Sequence, residues 1–178
     1  MPTHVALLRS VNVGGRGKVT MAQLRALFEA EGLGGVRTWI TSGNVLFEID
    51  RTEAELASRL EARVREELGL DTRVLLRDRA ELDRAIADNP FLDRGAPGNQ
   101  LFAVFLGQAP SPEAFARLDP QRSPPDAFAL RDRTLYLHLP SGAADTRLTL
   151  PYIERCLGTW GTARNWNTTT RLAALLAE

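Results

Sequence analysis

Val5-Ala6-Leu7-Leu8-Arg9-Ser10-Val11-Asn12-Val13, followed by Gly14-Gly15-Arg16-Gly17-Lys18 and then Val19-Thr20-Met21, is the stretch on which the reading of this chain turns. Its Val and Leu content predicts a buried strand over residues 5–13. Thr20 and Gln23 have the spacing of a capping box, Leu24, Leu27 and Phe28 share one helical face, and Gly32 supplies a stop, so a helix is predicted over residues 21–31. The order is therefore strand, glycine-rich loop, helix. Residues 36–41 and 45–49 then flank Ser42-Gly43-Asn44, a tight hairpin signature. Thr52 and Glu55 form a second capping-box pair, and Leu56, Leu60, Val64 and Leu68 recur every four residues before Gly69, which marks a second helix. A short strand over residues 73–76 and a helix over residues 79–88, ended by Asn89-Pro90, complete the first half.

The same order begins again after the Gly and Pro residues of 94–98. Residues 101–106 predict a strand, and Ser111-Pro112 opens a helix carrying Phe115 and Leu118. Residues 127–130 and 135–139 predict a hairpin around Arg131-Asp132-Arg133. A helix over residues 151–157 stops at Gly158, a strand covers residues 163–167, and Thr168 or Thr169 is placed to cap a last helix bearing Leu172, Leu175 and Leu176. Each half reads strand, helix, strand, strand, helix, strand, helix, an internal duplication at the level of topology. The expected fold is α+β: two tandem ferredoxin-like (βαββαβ) plait subdomains, each followed by an extra helix. Their expected boundaries are residues 1–92 and 98–178, joined by a connector at 93–97. In a split βαβ unit the first two strands run parallel, so residues 14–18 and the hairpin at 42–44 should meet at one end of the sheet.

Composition narrows the function classes. The chain has 178 residues, 22 basic and 22 acidic side chains, and 44% hydrophobic residues, proportions that exclude a disordered or collagen-like chain. One cysteine rules out an internal disulfide. Cys156 shares a helical face with Ile153 and reads as a buried, inert thiol. A pI of about 6.8 lacks the broad basic field of non-specific nucleic-acid or membrane binders. No apolar run is long enough to span a bilayer and Met1-Pro2-Thr3-His4 is no signal peptide, so a cytoplasmic protein is expected. Two histidines far apart and no Cys-x-x-Cys pair leave a metal site without ligands.

The 22 cationic residues comprise 21 arginines and a single lysine, Lys18, which falls in the glycine-rich loop. A loop between a strand and a helix N-terminus is a setting in which backbone N–H groups and the helix dipole attract anions. It is not a Walker A motif, because Asn12 stands at the first glycine position and Val19 replaces the magnesium-binding Ser or Thr. A turn needing positive φ angles accounts for the same glycines. Near the C-terminus, Asn165 and Asn167 would lie on one strand face and Arg164 and Trp166 on the other. Asparagine is depleted in strands, so this pair argues for specific hydrogen-bonding partners, either a ligand or backbone elsewhere in the chain.

Taken in order, residues 6–15 with Lys18-Val19, residues 36–47, Asn89-Pro90-Phe91, Leu139-Pro140-Ser141-Gly142 and residues 164–168 resemble the domain-of-unknown-function family numbered 1697. The resemblance runs over essentially the whole chain. It implies an α/β protein of duplicated plait-like subdomains and no established activity. Ser10 stands where the family usually has Gly, Thr20 where Pro is frequent, and Arg147 where Lys is common.

The leading expectation is a site for a small phosphorylated or otherwise anionic ligand. Gly14, Gly15, Gly17 and Lys18 would hold the anion, Asn12, Ser42 and Asn44 would orient it, and Arg164, Asn165 and Asn167 would complete the site. No cofactor and no catalytic residue is identified, because His4 and His138 read as structural and no acid/base pair remains. The alternative is a protein-interaction or oligomeric scaffold in which Asn12, Asn165 and Asn167 are buried and hydrogen-bonded within the chain, pinning the repeats together and leaving no cavity by the glycine-rich loop. A nucleic-acid module fits worse, since residues 5–13 carry no aromatic side chain and the net charge is zero.

Overall fold

A computed structural model describes residues 1–11, 19–51 and 54–178. It is a mixed α+β structure holding, among the described residues, two four-stranded antiparallel sheets and several helices. By contacts the chain divides into two compact units, Met1–Leu82 with Leu172–Glu178, and Asp83–Arg171.

In the first unit β1 (His4–Leu8), β2 (Gly34–Trp39), β3 (Asn44–Glu48) and β4 (Val74–Asp78) lie in the order β2-β3-β1-β4. Val5, Ala6, Leu7 and Leu8 are fully buried on both faces of the sheet, which is why the strand reads as an unbroken apolar run. Helix α1 (Met21–Ala30) begins at the expected box: the Thr20 hydroxyl accepts from Gln23 N, and Gln23 Oε1 accepts from Thr20 N at 2.9 Å. Its stripe of Leu24, Leu27 and Phe28 packs with Leu56, Leu60 and Val64 of α2 (Leu56–Leu68) and with Ala6, Leu8, Val45 and Phe47 of the sheet. Helix α2 ends at Gly69 with a φ of 64°. Thr52, proposed to cap it, lies outside the described residues.

The two helices are also joined by charge. Glu31 accepts from Arg63 Nη1 at 2.8 Å and pairs with Arg59 Nε at 3.4 Å. The Arg63 hydrogen bond is the largest influence on the carboxyl and, against the opposing effect of burial, holds it below the ordinary glutamate range.

In the second unit β5 (Leu101–Leu106), β6 (Ala127–Arg131), β7 (Thr134–His138) and β8 (Gly161–Asn165) lie in the order β6-β7-β5-β8. One face packs Val104, Leu106, Leu135 and Leu137 against Leu118, Ile153, Cys156 and Leu157. Leu118 follows the short α5 (Pro112–Phe115), and the other three belong to α6 (Leu150–Leu157). Cys156 is buried in this core, as its helical position required. On the other face Tyr136 donates to Ala85 O at 2.6 Å and meets the Trp166 ring edge-on at 6.5 Å. Burial, the main influence, pushes the Tyr136 phenol far up.

Four local expectations are corrected. The first strand ends at Leu8 because Ser10 adopts a φ of 58°. The helix α3 (Arg79–Ala87) does stop before Asn89-Pro90, but that pair also opens α4 (Pro90–Asp93), with Asn89 Oδ1 accepting from Phe91 N at 3.0 Å. The last strand stops at Asn165, and Trp166 already begins α7 (Trp166–Leu176), so Asn167 is helical. The cap of α7 is accordingly Asn165, whose Oδ1 accepts from Thr168 N at 2.8 Å, in place of Thr168 or Thr169.

A depressed carboxyl adds stability above the ordinary glutamate value and loses that contribution as pH falls through the lowered folded-state value. Urea unfolding of the parent and of Glu31→Gln should therefore show a stability gap at pH 7 that closes below about pH 4.5, the unperturbed value. A gap of constant size across that range would mean that the α1–α2 charge pairing adds nothing.

Candidate functional site

The expected site is built around two chain segments at one end of the first sheet. Leu8 N donates to Gly43 O at 2.8 Å, and Arg9 N to Arg73 O at 3.0 Å, so the end of β1 is held between its neighbours. A Cβ added at Gly43, whose φ is 80°, would stand 2.8 Å from Val11 Cγ2 and 3.0 Å from Leu8 Cβ. Only glycine satisfies both the angle and the approach. The β2–β3 turn therefore rests directly on Val11, the last described residue before the loop. Val11 and Val19, which bracket residues 12–18, are 3% and 5% exposed and belong to the same core cluster.

Asn12, Gly14, Gly15, Gly17 and Lys18 lie outside the described residues. Ser42 and Asn44 are brought together: Asn44 is fully buried, and its Nδ2 donates to Ser42 Oγ at 3.0 Å and to Trp39 O at 3.1 Å. These bonds close a turn that contains Ile40 at a φ of 50°, a strained conformation for a β-branched residue that is also 47% exposed. Asn44 thus acts as an internal pin, while Ser42 is half-buried.

The other three candidates sit at the β8–α7 junction. Arg164 turns inward, 7% exposed, with Nη1 donating to Thr162 Oγ1 at 2.8 Å and to Ala163 O at 2.9 Å. Burial lowers its pKa to about 10, which still leaves it charged at neutral pH. Asn165 and Asn167 are exposed. Asn165 spends its carbonyl oxygen on the helix cap, and Asn167 Oδ1 lies near the Cα of Gly98, 3.8 Å from where a Cβ would stand.

Two residues escaped the sequence reading. Arg77 occupies on β4 the place Arg164 occupies on β8: it is 5% exposed, and its Nη1 donates to Leu76 O at 2.9 Å. Each arginine is followed by an Asx residue capping the next helix, Asp78 Oδ1 accepting from Glu81 N at 2.8 Å as Asn165 accepts from Thr168 N. The repeated Arg-Asx pair before a helix was the available signal. Asn89, read from the sequence as a helix stop and part of a family motif but not as a site residue, is the second: it is 2% exposed, and its Nδ2 has no hydrogen-bond partner among the described residues.

Among the described residues no group of His, Cys, Asp and Glu forms a metal site, and no helix is long and apolar enough to cross a membrane. These features describe an α+β protein of two four-stranded sheets whose polar pins cluster at strand ends. A family model described as "Protein of unknown function (DUF1697)" matches residues 1–136, and the chain belongs to that family. It is similar over 98% of its length, and 98% of the other chain, to a solved structure described as conserved bacterial protein SP0830 from Streptococcus pneumoniae, with a TM-score of 0.75 and 19% identity. No curated protein matches the chain.

The left-handed φ of Ser10 gives a physical reason for the glycine that the family resemblance places there. Ser10→Gly should raise stability by about 0.5–1 kcal/mol, because relief of the left-handed strain exceeds the added entropy of the unfolded chain. Chemical denaturation measures this, and a loss of stability would mean that the Ser10 side chain makes a compensating contact.

Proposed function

We propose that this protein binds a small anionic, phosphate-bearing ligand at residues 12–18, where β1 hands over to α1. The observation that carries this reading is the frame around that segment. Its flanking residues Val11 and Val19 are both anchored in one core, and α1, which follows at once, has no acidic side chain in its first turn to offset its dipole. In the sequence, Lys18 and three glycines come just before that positive end. Ser42 lies on the turn whose Gly43 touches Val11, and its hydroxyl, which accepts from Asn44 Nδ2, is the candidate to orient a ligand.

The scaffold reading expected Asn165 and Asn167 to be buried, and both are exposed. Asn44 and Arg164 are better explained as supports, since both are buried and bonded within the chain.

We also infer that each sheet with its helices is a ferredoxin-like plait and that the two arose as sequence repeats near residues 1–92 and 98–178, whose limits differ from those of the compact units. The matching strand orders support this, as does the paired occurrence of Arg77-Asp78 and Arg164-Asn165.

The test is a thermal-shift screen of inorganic phosphate, sugar phosphates and nucleotides against the parent and Lys18→Ala. A ligand at about 100 times its dissociation constant should add roughly 2.7 kcal/mol, a rise of several degrees for a chain of this size. The parent should respond and Lys18→Ala should not. If neither protein shifts with any anion, the glycines serve a turn alone and the reading fails.

A further inference from the structure

Helix α1 has two ridges, and the core uses one. Leu24, Leu27 and Phe28 are buried, whereas Ala22, Arg25, Ala26 and Glu29 are exposed at the spacing i, i+3, i+4, i+7, which places them in a single stripe. That stripe borders β2, an edge strand that is hydrogen-bonded to β3 and to no other described strand. Two adjoining hollows of about 550 and 420 Å³ separate helix from strand edge. Both are lined by Arg25 and Glu29, one reaching Met21, Ala22 and Thr38 and the other Gly35 and Arg37. The result is a groove with the β2 edge on one side and Ala22 and Ala26 on the other. At one end Arg37 of β2 donates to Leu175 O at 3.3 Å and pairs with Glu178 at 3.7 Å, and Met1 and Glu178 line the larger hollow.

The charges of the groove are mixed and self-complementary. Arg25 and Glu29 form an exposed i, i+4 pair at 2.8 Å, with 61% and 48% of their side chains exposed, so each remains accessible to a second partner. A two-fold axis through the β2 edge, perpendicular to the sheet, would run β2 antiparallel to β2 of a second copy. The same axis lays α1 antiparallel to α1 of that copy. Arg25 of each copy then faces Glu29 of the other, and Ala22 and Ala26 allow the helices to approach closely. A strongly acidic or basic partner would find no complementary field here, because the lining carries both signs.

We propose that the β2 edge and the Ala22–Arg25–Ala26–Glu29 stripe form the interface of a symmetric dimer whose sheet continues across two copies of the chain. The regular part of β2 is short: a register shift lies between Gly34 and Arg37, and Arg37, Thr38 and Trp39 pair in register with β3. The strip is therefore about 15 to 20 Å long, set by a ten-residue helix and a six-residue strand, which places the dimer among weak, small interfaces.

Sedimentation equilibrium between about 5 and 500 µM, in low and high salt, tests this on the intact chain. The parent should pass from monomer to twice that mass with a micromolar dissociation constant. Arg25→Glu sets like charges across the axis and should weaken the dimer at least tenfold, as should the steric variant Ala26→Arg. The double exchange Arg25→Glu with Glu29→Arg restores complementarity and should restore the dimer. All three sites are exposed in the single chain, and circular dichroism verifies that each variant folds. A parent that stays monomeric to 500 µM overturns the proposal, including the case in which an extended peptide of another protein occupies the groove. A dimer indifferent to Arg25→Glu and Ala26→Arg, or one not restored by the double exchange, overturns it equally.

Discussion

The contact that organises the first sheet is the seating of Gly43 on Leu8 and Val11. There is no space for a Cβ, and the Leu8 N to Gly43 O bond ties the turn to the central strand at the same point. Because β1 is buried on both faces, its residues cannot slip by one without exchanging the two sets of apolar side chains. The turn fixes the end of β1, that end fixes Val11, and Val11 and Val19 sit in the same core on either side of residues 12–18 in the sequence. Ile40 is held in a left-handed conformation in the same turn, and the Asn44 bonds to Trp39 O and Ser42 Oγ offset part of that cost.

Much of this architecture was legible because periodicity and caps agree. Leu56, Leu60 and Val64 occur every four residues and all are fully buried, and Thr20 with Gln23 makes both bonds of its box. The errors fall where a local signal had two meanings. Asn165-Trp166-Asn167 alternates as a strand would, yet Asn165 has the short acceptor that starts a helix, and the cap prevailed. Asn89-Pro90 stops one helix and starts another for the same reason. Ser10 carries no outward sign of a positive φ, since serine is at home in a strand end as well as a turn. The candidate site was legible in kind only: residue type could not distinguish Asn44, a buried pin, from Asn165 and Asn167, which face solvent.

Buried arginines at matching places in the two sheets are harder to explain by burial alone. A guanidinium taken out of water needs acceptors for its fork, and in both cases one acceptor is the carbonyl of the preceding residue, Leu76 O for Arg77 and Ala163 O for Arg164. Such a bond needs no distant partner, so it can be carried through a duplication without a second compensating change. Replacing either arginine by an apolar residue of similar volume would free a strand carbonyl just before a helix cap. This local economy is what the proposed duplication would leave: the same strand-to-helix corner in both halves, with Asp78 in one and Asn165 in the other.

Helix α1 links the two proposals without making either depend on the other. Its N-terminal end follows residues 12–18 in the sequence, its Leu24, Leu27 and Phe28 ridge makes the core, and its Ala22, Arg25, Ala26 and Glu29 ridge borders the β2 edge. An anion at the first turn acts on the dipole, which decays within about one turn, whereas the charge pairs of the outer ridge are one to two turns further on. Ligand binding and self-association should consequently be separable by substitution. Coupling between them, if it exists, would have to pass through the rigid body of the helix, and a ten-residue helix anchored by three buried side chains is short and stiff enough to carry it.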